Sequence, residues 1–168
     1  MNIEVTELDI FDVKKILDEL QLTNHMIVKS ETMPISSIIL TYFSNNKSKI
    51  DISIAFVPLP ENVFSDIKIL QILYEIPEVK VLQNESLSLE LTNRINYLLS
   101  VGCFGLRDQK ITYRCCQVFP IFSNMLEQKN SIVDLFKMVA MYIENFEKPI
   151  INVVNGTLDI DEMFNSFK

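Results

Sequence analysis

Three strand-like runs between two segments of helical period constrain the fold of this chain most strongly. Residues 35–43 are rich in β-branched and aromatic types, and residues 50–57 alternate apolar and polar side chains. Such enrichment is typical of strands, and strict alternation indicates a strand with one buried face. The polar residues 44–48 between these runs favour a hairpin, so the two strands are expected to be antiparallel.

The third run, residues 67–76, is apolar at most positions and is followed by Pro77. Continuous apolar runs are typical of strands buried on both faces, so this run predicts a central strand covered on both sides. A second hairpin is predicted farther along the chain, with strands near 103–107 and 111–119. About five antiparallel strands are therefore expected, and residues 26–28 are compatible with a further short one.

Helical periodicity marks four other segments. The expected helices cover about residues 7–21, 86–100, 131–148 and a short segment after 157. Thr6 has the capping position of the first, Ser131 that of the third, and Pro149 is expected to end the third. The resulting order, α-β-β-β-α-β-β-α plus a short C-terminal helix, favours a single α+β domain over residues 1–168, an antiparallel sheet flanked by helices.

Composition argues against several classes of function. The formal net charge of −7 disfavours nucleic-acid binding, which needs clustered Lys and Arg. A single histidine excludes a multi-histidine metal site, and the three glycines lack the spacing of a phosphate loop. Three cysteines without a C-x-x-C disfavour a disulfide framework and a zinc site. We expect no cofactor. Without a signal-peptide pattern or an apolar stretch of about 20 residues, a cytoplasmic protein that does not enter membranes is expected.

Catalysis is not expected either. Cys115 and Cys116 would point to opposite faces of a strand, so they cannot act together. A cysteine–histidine pair would have to recruit His25 from a distant segment, and no pattern supports it. A small enzyme with an unrecognised site stays open as a hypothesis, and it would need a deep pocket with converging polar side chains.

Residues 92–114 combine a helix with paired asparagines, a Gly-x-x-Gly strand start and an aromatic–arginine pair in the next strand. The residues in these positions are Asn93, Asn96, Gly102, Gly105, Tyr113 and Arg114. This pattern resembles that of YbjN-like bacterial proteins, and the order of elements resembles that of class I type III secretion chaperones. The resemblance implies a small acidic cytosolic homodimer that binds an extended segment of another protein along its first helix and a sheet edge.

Three apolar residues on polar helix faces are candidates for partner binding. Phe11 projects away from the apolar stripe of the first helix and is placed to anchor an interface, although it could instead pack on a neighbouring loop. Met138 and Met141 lie opposite the apolar face of the third helix and could form an adaptable patch. The alternative is that the last helix, with Met163 and Phe167, covers both methionines.

One ridge of the second helix is a candidate structural element or dimer seam. Leu89, Asn93, Asn96 and Ser100 follow one another at helical spacing. Buried amides need hydrogen-bond partners, so the two asparagines are expected to bond sheet or loop backbone. A dimer seam along this ridge is the alternative.

The net charge of the chain comes from its two end segments. Residues 1–21 carry six acids and two bases, residues 144–168 carry five and two, and residues 22–143 are neutral. The preferred hypothesis is a non-catalytic protein-binding module, chaperone-like or regulatory, that binds an apolar or extended segment of another protein by strand addition. The alternative is an acidic protein of the immunity or antitoxin type that neutralises a basic partner, with steeply salt-dependent association.

Overall fold

The computed structural model describes residues 3–31, 33–44, 48–60, 64–77, 79 and 84–167. Within them the elements are α1 Ile3–Glu19, β1 Asn24–Ile27, β2 Ser37–Phe43, β3 Lys49–Phe56, β4 Ile67–Glu75, α2 Glu85–Asn96, β5 Cys103–Arg107, β6 Lys110–Pro120, α3 Lys129–Val154 and α4 Ile160–Asn165. The strands form one antiparallel sheet in the order β1-β2-β3-β4-β6-β5. The predicted α+β class and order of elements are confirmed, and β1 adds one strand to the expected five.

The chain divides into two compact units. Unit 1 comprises Met1–Leu73 and Cys116–Phe136, and unit 2 comprises Tyr74–Cys115 and Lys137–Lys168. The single-domain assignment stays a prediction.

The core of unit 1 lies between α1 and one face of the strands. Ile10, Val13 and Leu17, which recur at helical spacing, are fully buried. Alternate strand residues supply the facing surface, since side chains two apart in a strand share a face. These are Ile38, Leu40, Ile50, Ile52, Ile54, Leu70 and Ile72.

The opposite face of the sheet in unit 1 is not covered to the same extent. On β4, Leu70 and Ile72 are fully buried, whereas Ile67, Ile69 and Leu73 remain partly exposed. The prediction of a central strand is confirmed, since β4 lies between β3 and β6, and cover is complete on the face of Leu70 and Ile72 but only partial on the other face. A continuous apolar run indicates a strand inside a sheet, but it does not indicate whether both faces of that strand are fully buried by the same chain.

The N-termini of α1 and α3 lie before the predicted capping residues, because a possible capping residue does not by itself prevent a helix from extending past it. Helix α1 begins at Ile3, so Thr6 lies inside it and is not its cap. Neither Gly nor Pro occurs in residues 3–5 to prevent this extension. Helix α3 begins at Lys129, so Ser131 likewise lies within the helix.

Pro149 does not end α3, contrary to prediction. Proline costs about 3 kcal/mol inside a helix because it lacks the N–H and crowds the preceding turn. The helix nevertheless continues to Val154. Ile150, Val153 and Val154 beyond the proline are buried, and their burial at roughly 2 kcal/mol per side chain outweighs that cost.

The core of unit 2 is aromatic. Phe104 on β5 lies 5.0 Å from Tyr113 on β6 and 6.1 Å from Phe146 on α3, measured between ring centroids. The hairpin between β5 and β6 is confirmed, with Asp108 and Gln109 both at positive φ, as a two-residue type I′ turn requires. The β2–β3 hairpin is also confirmed by direct antiparallel pairing, while residues 45–47 of its turn lie outside the described residues.

Candidate functional site

The β5 edge of the sheet, in unit 2, is capped by a side chain of α2. Asn96 Nδ2 donates to the carbonyl oxygen of Phe104 at 2.9 Å, and the Phe104 N–H donates to Asn96 Oδ1 at 2.7 Å. One amide therefore satisfies both main-chain groups that Phe104 turns away from β6, as a neighbouring strand would. An approaching peptide cannot pair at this residue without displacing the asparagine.

The other residues of the predicted α2 ridge have different environments. Leu89 is half-exposed and Asn93 is exposed. Helix α2 ends at Asn96, earlier than predicted, so Ser100 lies beyond the helix and is not part of its ridge. The Ser100 N–H donates to the Tyr142 hydroxyl at 3.0 Å, which ties this segment to α3.

A surface depression of about 380 Å³ lies at this end of α2. Its described lining residues are Asn93, Asn96 and the almost fully exposed Tyr97. Amides and a phenol can bind polar groups through hydrogen bonds. No group of three or more His, Cys, Asp or Glu among the described residues is placed to hold a metal ion.

The two methionine candidates lie on α3 in unit 2. Met141 is half-exposed and Met138 is partly exposed. Met163 of α4 is buried, and the ring of Phe167 packs against Phe146 at 5.2 Å between centroids. The C-terminal segment thus packs on the apolar side of α3 at Phe146, and Met141 keeps its exposed surface.

Phe11 lies on an exposed part of α1 in unit 1, where it is 45% exposed, and Leu8 one turn earlier is 69% exposed. Phe11 shares a ridge with Asp18, two turns later along the helix. Asp18 Oδ1 accepts a hydrogen bond from Asn24 Nδ2 at 2.8 Å, at the first residue of β1. The ridge that carries Phe11 therefore runs toward the β1 edge of the sheet.

The β1 edge has an unpaired row of main-chain groups. The Thr41 N–H donates to the Thr23 carbonyl at 2.8 Å, so residues 23, 25 and 27 face β2 and residues 24, 26 and 28 face away from it. Within the part of the chain that the structure describes, no group pairs with the outward main-chain atoms of Asn24, Met26 and Val28. The outward main-chain groups of β1 are therefore available to pair with another strand, whereas those of Phe104 on β5 are already bonded to Asn96.

The carboxylates of α1 are largely paired with lysines. Four of the five acids whose side chains are described in this helix form such ion pairs. They are Asp9–Lys68 at 2.7 Å, Asp12–Lys15 at 3.0 Å, Asp18–Lys14 at 2.6 Å and Glu19–Lys129 at 2.6 Å. Because Lys68 and Lys129 come from outside the N-terminal segment, they offset part of the negative charge counted over residues 1–21.

The Lys68–Asp9 pair was not predicted from the sequence. Lys68 is 1% exposed on the buried face of β4, and its Nζ also donates to the Ser123 carbonyl at 2.6 Å. Burial raises the pKa of the Asp9 carboxyl above its ordinary value, and the hydrogen bond from Lys68 opposes that rise. The signal available in the sequence was a single lysine inside the mostly apolar run 67–76.

Phe122 is an exposed residue that was also not predicted from the sequence. It follows β6 in a turn closed by the Ser123 N–H donating to the Pro120 carbonyl at 3.0 Å, and its side chain is 95% exposed. The Ile121 N–H donates to the Asp66 carbonyl at 2.9 Å and fixes the turn to the start of β4. Its flanking Pro and Ser-Asn residues are the turn signal that the sequence offered.

Comparison with known proteins finds similarity among solved structures. Neither a protein-family model nor a curated protein sequence matches the chain. The chain is similar to the crystal structure of YbjN from E. coli, with 15% sequence identity, a TM-score of 0.43 and coverage of 79% of this chain and 86% of that one. The likeness to type III secretion chaperones stays a prediction.

No helix among the described residues combines the length and the apolar content that crossing a membrane requires.

Proposed function

We propose that this protein is a non-catalytic protein-binding module of the bacterial cytosol that captures an extended segment of another protein at its β1 edge. The observation that supports this most is the contrast between three open positions on β1 and the capped position of Phe104 on β5. Asn24, Met26 and Val28 present unpaired main-chain groups, whereas Asn96 caps Phe104 on β5. Strand addition obtains its affinity from such main-chain groups.

The surroundings of the edge favour an apolar segment. Val28 and Met33 next to β1 are exposed, as are Leu8 and Phe11 on α1. Side chains of an added strand alternate between the two faces, so those on one side are close to these apolar residues. A short partner strand with apolar residues at alternate positions and no proline best fits these properties.

The length of the edge limits the partner segment. The outward residues Asn24, Met26 and Val28 span about 13 Å at roughly 3.3 Å per residue. A partner strand of about five residues covers this distance. Each of the three residues contributes one N–H and one C=O, so six main-chain groups are available for pairing.

The acidic immunity or antitoxin alternative rests on the charge of the N-terminal segment. Four described carboxylates of α1 already have lysine partners, which reduces the charge that a basic partner would meet. Weak salt dependence of partner binding would therefore agree with the strand-addition proposal. A steep decline of affinity with rising salt would favour the acidic alternative.

A selection from a random peptide library tests the proposal whatever the natural partner is. The immobilised chain is expected to enrich proline-free segments with apolar residues at alternate positions. Met26→Pro removes the outward N–H, leaves the β1–β2 hydrogen bonds in place, and is expected to abolish binding of the enriched peptides. Met26→Ala keeps that N–H and serves as the matched control, with affinity within a few-fold of wild type.

Thermal unfolding of both variants verifies that Met26→Pro is folded. Enriched peptides that bind Met26→Pro as well as Met26→Ala would contradict strand addition at β1. Enrichment of basic peptides without apolar alternation would contradict it as well.

A further inference from the structure

We propose that the turn at the end of β6, residues 120–126, is a second interaction surface, called here the Phe122 turn. Phe122 anchors a folded partner protein there by entering an apolar pocket of that protein. Its side chain is 95% exposed, so it makes almost no contact with its own chain. The inference is independent of the proposed function, which uses the edge of β1 and an extended partner segment.

The backbone that carries Phe122 is fixed by hydrogen bonds. The Ser123 N–H and Oγ both donate to the Pro120 carbonyl, at 3.0 and 2.6 Å, and close the turn around Phe122. Lys68 Nζ donates to the Ser123 carbonyl at 2.6 Å from the buried face of β4. The side chain of Met125, farther along the turn, is fully buried. The turn is therefore tied to the interior although its aromatic ring is in solvent.

Both ends of the Phe122 turn are tied down as well. The Ile121 N–H donates to the Asp66 carbonyl at 2.9 Å, next to the start of β4. The Leu126 N–H donates to Asn124 Oδ1 at 2.9 Å. A backbone that is ordered before binding loses little conformational freedom when a partner binds, which raises affinity.

Two further apolar side chains are exposed at this end of the sheet. Leu126 belongs to the turn itself, and Phe64 lies two residues before Asp66, whose carbonyl is bonded to the turn. Binding energy in interfaces is concentrated in aromatic anchors, which weaker contacts surround and shield from water. Phe122 with Phe64 and Leu126 has this composition, with one projecting aromatic ring and two less exposed apolar neighbours.

Two carboxylates border these apolar residues. Asp66 and Glu127 are exposed, and neither forms an ion pair with a base among the described residues. The lysines of the same segments, Lys68 and Lys129, are already paired with carboxylates of α1. The surface around Phe122 therefore carries uncompensated negative charge. A complementary partner has lysine or arginine at the rim of its apolar pocket.

The same features favour a folded protein over a membrane or an extended peptide. Entry of Phe122 into a bilayer would bring Asp66 and Glu127 to the lipid surface, where they lose hydration and are repelled by anionic headgroups. An extended peptide needs a groove or an open sheet edge, whereas Phe122 projects from a closed turn. A concave apolar pocket with a basic rim is the complement of such a projection.

Site-specific photocrosslinking in the cells that produce this protein tests the inference. The photoreactive residue p-benzoylphenylalanine replaces Phe122 in one variant. In the matched control it replaces Phe43, which is also exposed but lies at the β2–β3 hairpin. Light is expected to join position 122, and not position 43, to another protein, within a segment that lines an apolar pocket of that protein.

The affinity of the purified, crosslinked protein for variants of this chain then measures the part of Phe122. Phe122→Ala is expected to weaken binding by about 30-fold or more, and Phe43→Ala by less than about twofold. Asp66→Lys and Glu127→Lys are each expected to weaken it by several-fold, with an effect that shrinks as salt is raised. All four positions are exposed, and thermal unfolding verifies that the variants are folded.

The absence of a protein product at position 122 would overturn the inference, as would equal products at positions 122 and 43. A product with lipid alone, or with a second copy of this chain, would overturn it too. Unchanged affinity of Phe122→Ala would show that Phe122 is not an anchor. Met26→Pro with the photoreactive residue at position 122 is expected to give the same product, which separates this test from that of the proposed function. Loss of the product there would make the Phe122 turn a part of the β1 site.

Discussion

Lys68 is the charged residue whose surroundings depart most from those of a surface lysine. Its ammonium is buried on β4 between the Asp9 carboxylate and the Ser123 carbonyl, and it links α1 to the turn that carries Phe122. Removing one partner of a buried ion pair leaves the other without a counter-charge. We therefore expect Lys68→Met to lower the free energy of unfolding by about 3 kcal/mol at pH 7, as measured by chemical denaturation.

The exposed pair of Lys129 with Glu19 supplies the control for this prediction. Lys129→Met is expected to cost less than about 1 kcal/mol, since solvent screens that pair. The double variant Asp9→Leu with Lys68→Met is expected to recover much of the loss. A Lys68→Met chain as stable as wild type would show that the buried pair has no structural role.

The loss caused by Lys68→Met also depends on pH. The native pKa of Asp9 already lies above its ordinary 3.8 because of burial, and without Lys68 it rises further. Between 3.8 and that raised pKa, the native state of the variant binds more protons than the unfolded state, so its stability falls as pH increases. The difference between wild type and variant is expected to shrink as pH is lowered through this window. A difference that grows toward acid pH would contradict the assignment.

Asn96 and Asn93 offer a direct comparison of a structural amide and an exposed one. Asn96→Ala removes two hydrogen bonds to Phe104 and is expected to lower the unfolding free energy by about 1–2 kcal/mol. Asn93→Ala, at an exposed position, is expected to change it by less than about 0.5 kcal/mol. Equal effects of the two substitutions in thermal or chemical unfolding would contradict the role of Asn96 at the β5 edge.

At the scale of elements, the C-terminus of α1 contains a residue with a strained backbone conformation, which a substitution can relieve. Gln21 has φ +57, and the Leu22 N–H donates to the Leu17 carbonyl while the Gln21 N–H donates to that of Asp18. This is a Schellman end, in which glycine is the usual residue at the position of Gln21. Gln21→Gly is expected to raise the unfolding free energy by about 0.5–1 kcal/mol, whereas Gln21→Ala should give no gain. A loss of stability in the glycine variant would contradict this account.

Local sequence patterns predicted the elements better than their ends. The alternation in residues 50–57 and the turn at Asp108 and Gln109 are properties of adjacent residues, and both strands and hairpins were found as expected. The prediction that α3 ends at Pro149 was wrong because the burial of Ile150 and Val153 stabilises the helix beyond the proline. That contribution depends on contacts distant in sequence, which no local pattern contains.

At the scale of the whole molecule, the sequence located part of the candidate site but not its edge. Helical period alone identified Phe11 as a residue away from the apolar stripe of α1. Which strand edge is open depends on strand order and on side chains such as Asn96 that reach a strand from another element. The burial of each face of β4 likewise depends on long-range packing, so the apolar run predicted two buried faces, whereas Ile67, Ile69 and Leu73 stay partly exposed.

Amide hydrogen exchange, read residue by residue with and without a selected peptide, tests the central proposal most directly. In the unbound chain, the outward N–H groups of Asn24, Met26 and Val28 are expected to exchange rapidly, because they have no hydrogen-bond partner among the described residues. Bound peptide is expected to protect these three amides and to leave the exposed end of α2 unchanged. Protection at Asn93 and Tyr97 with none at Met26 would contradict strand addition at β1 and place the binding site on α2.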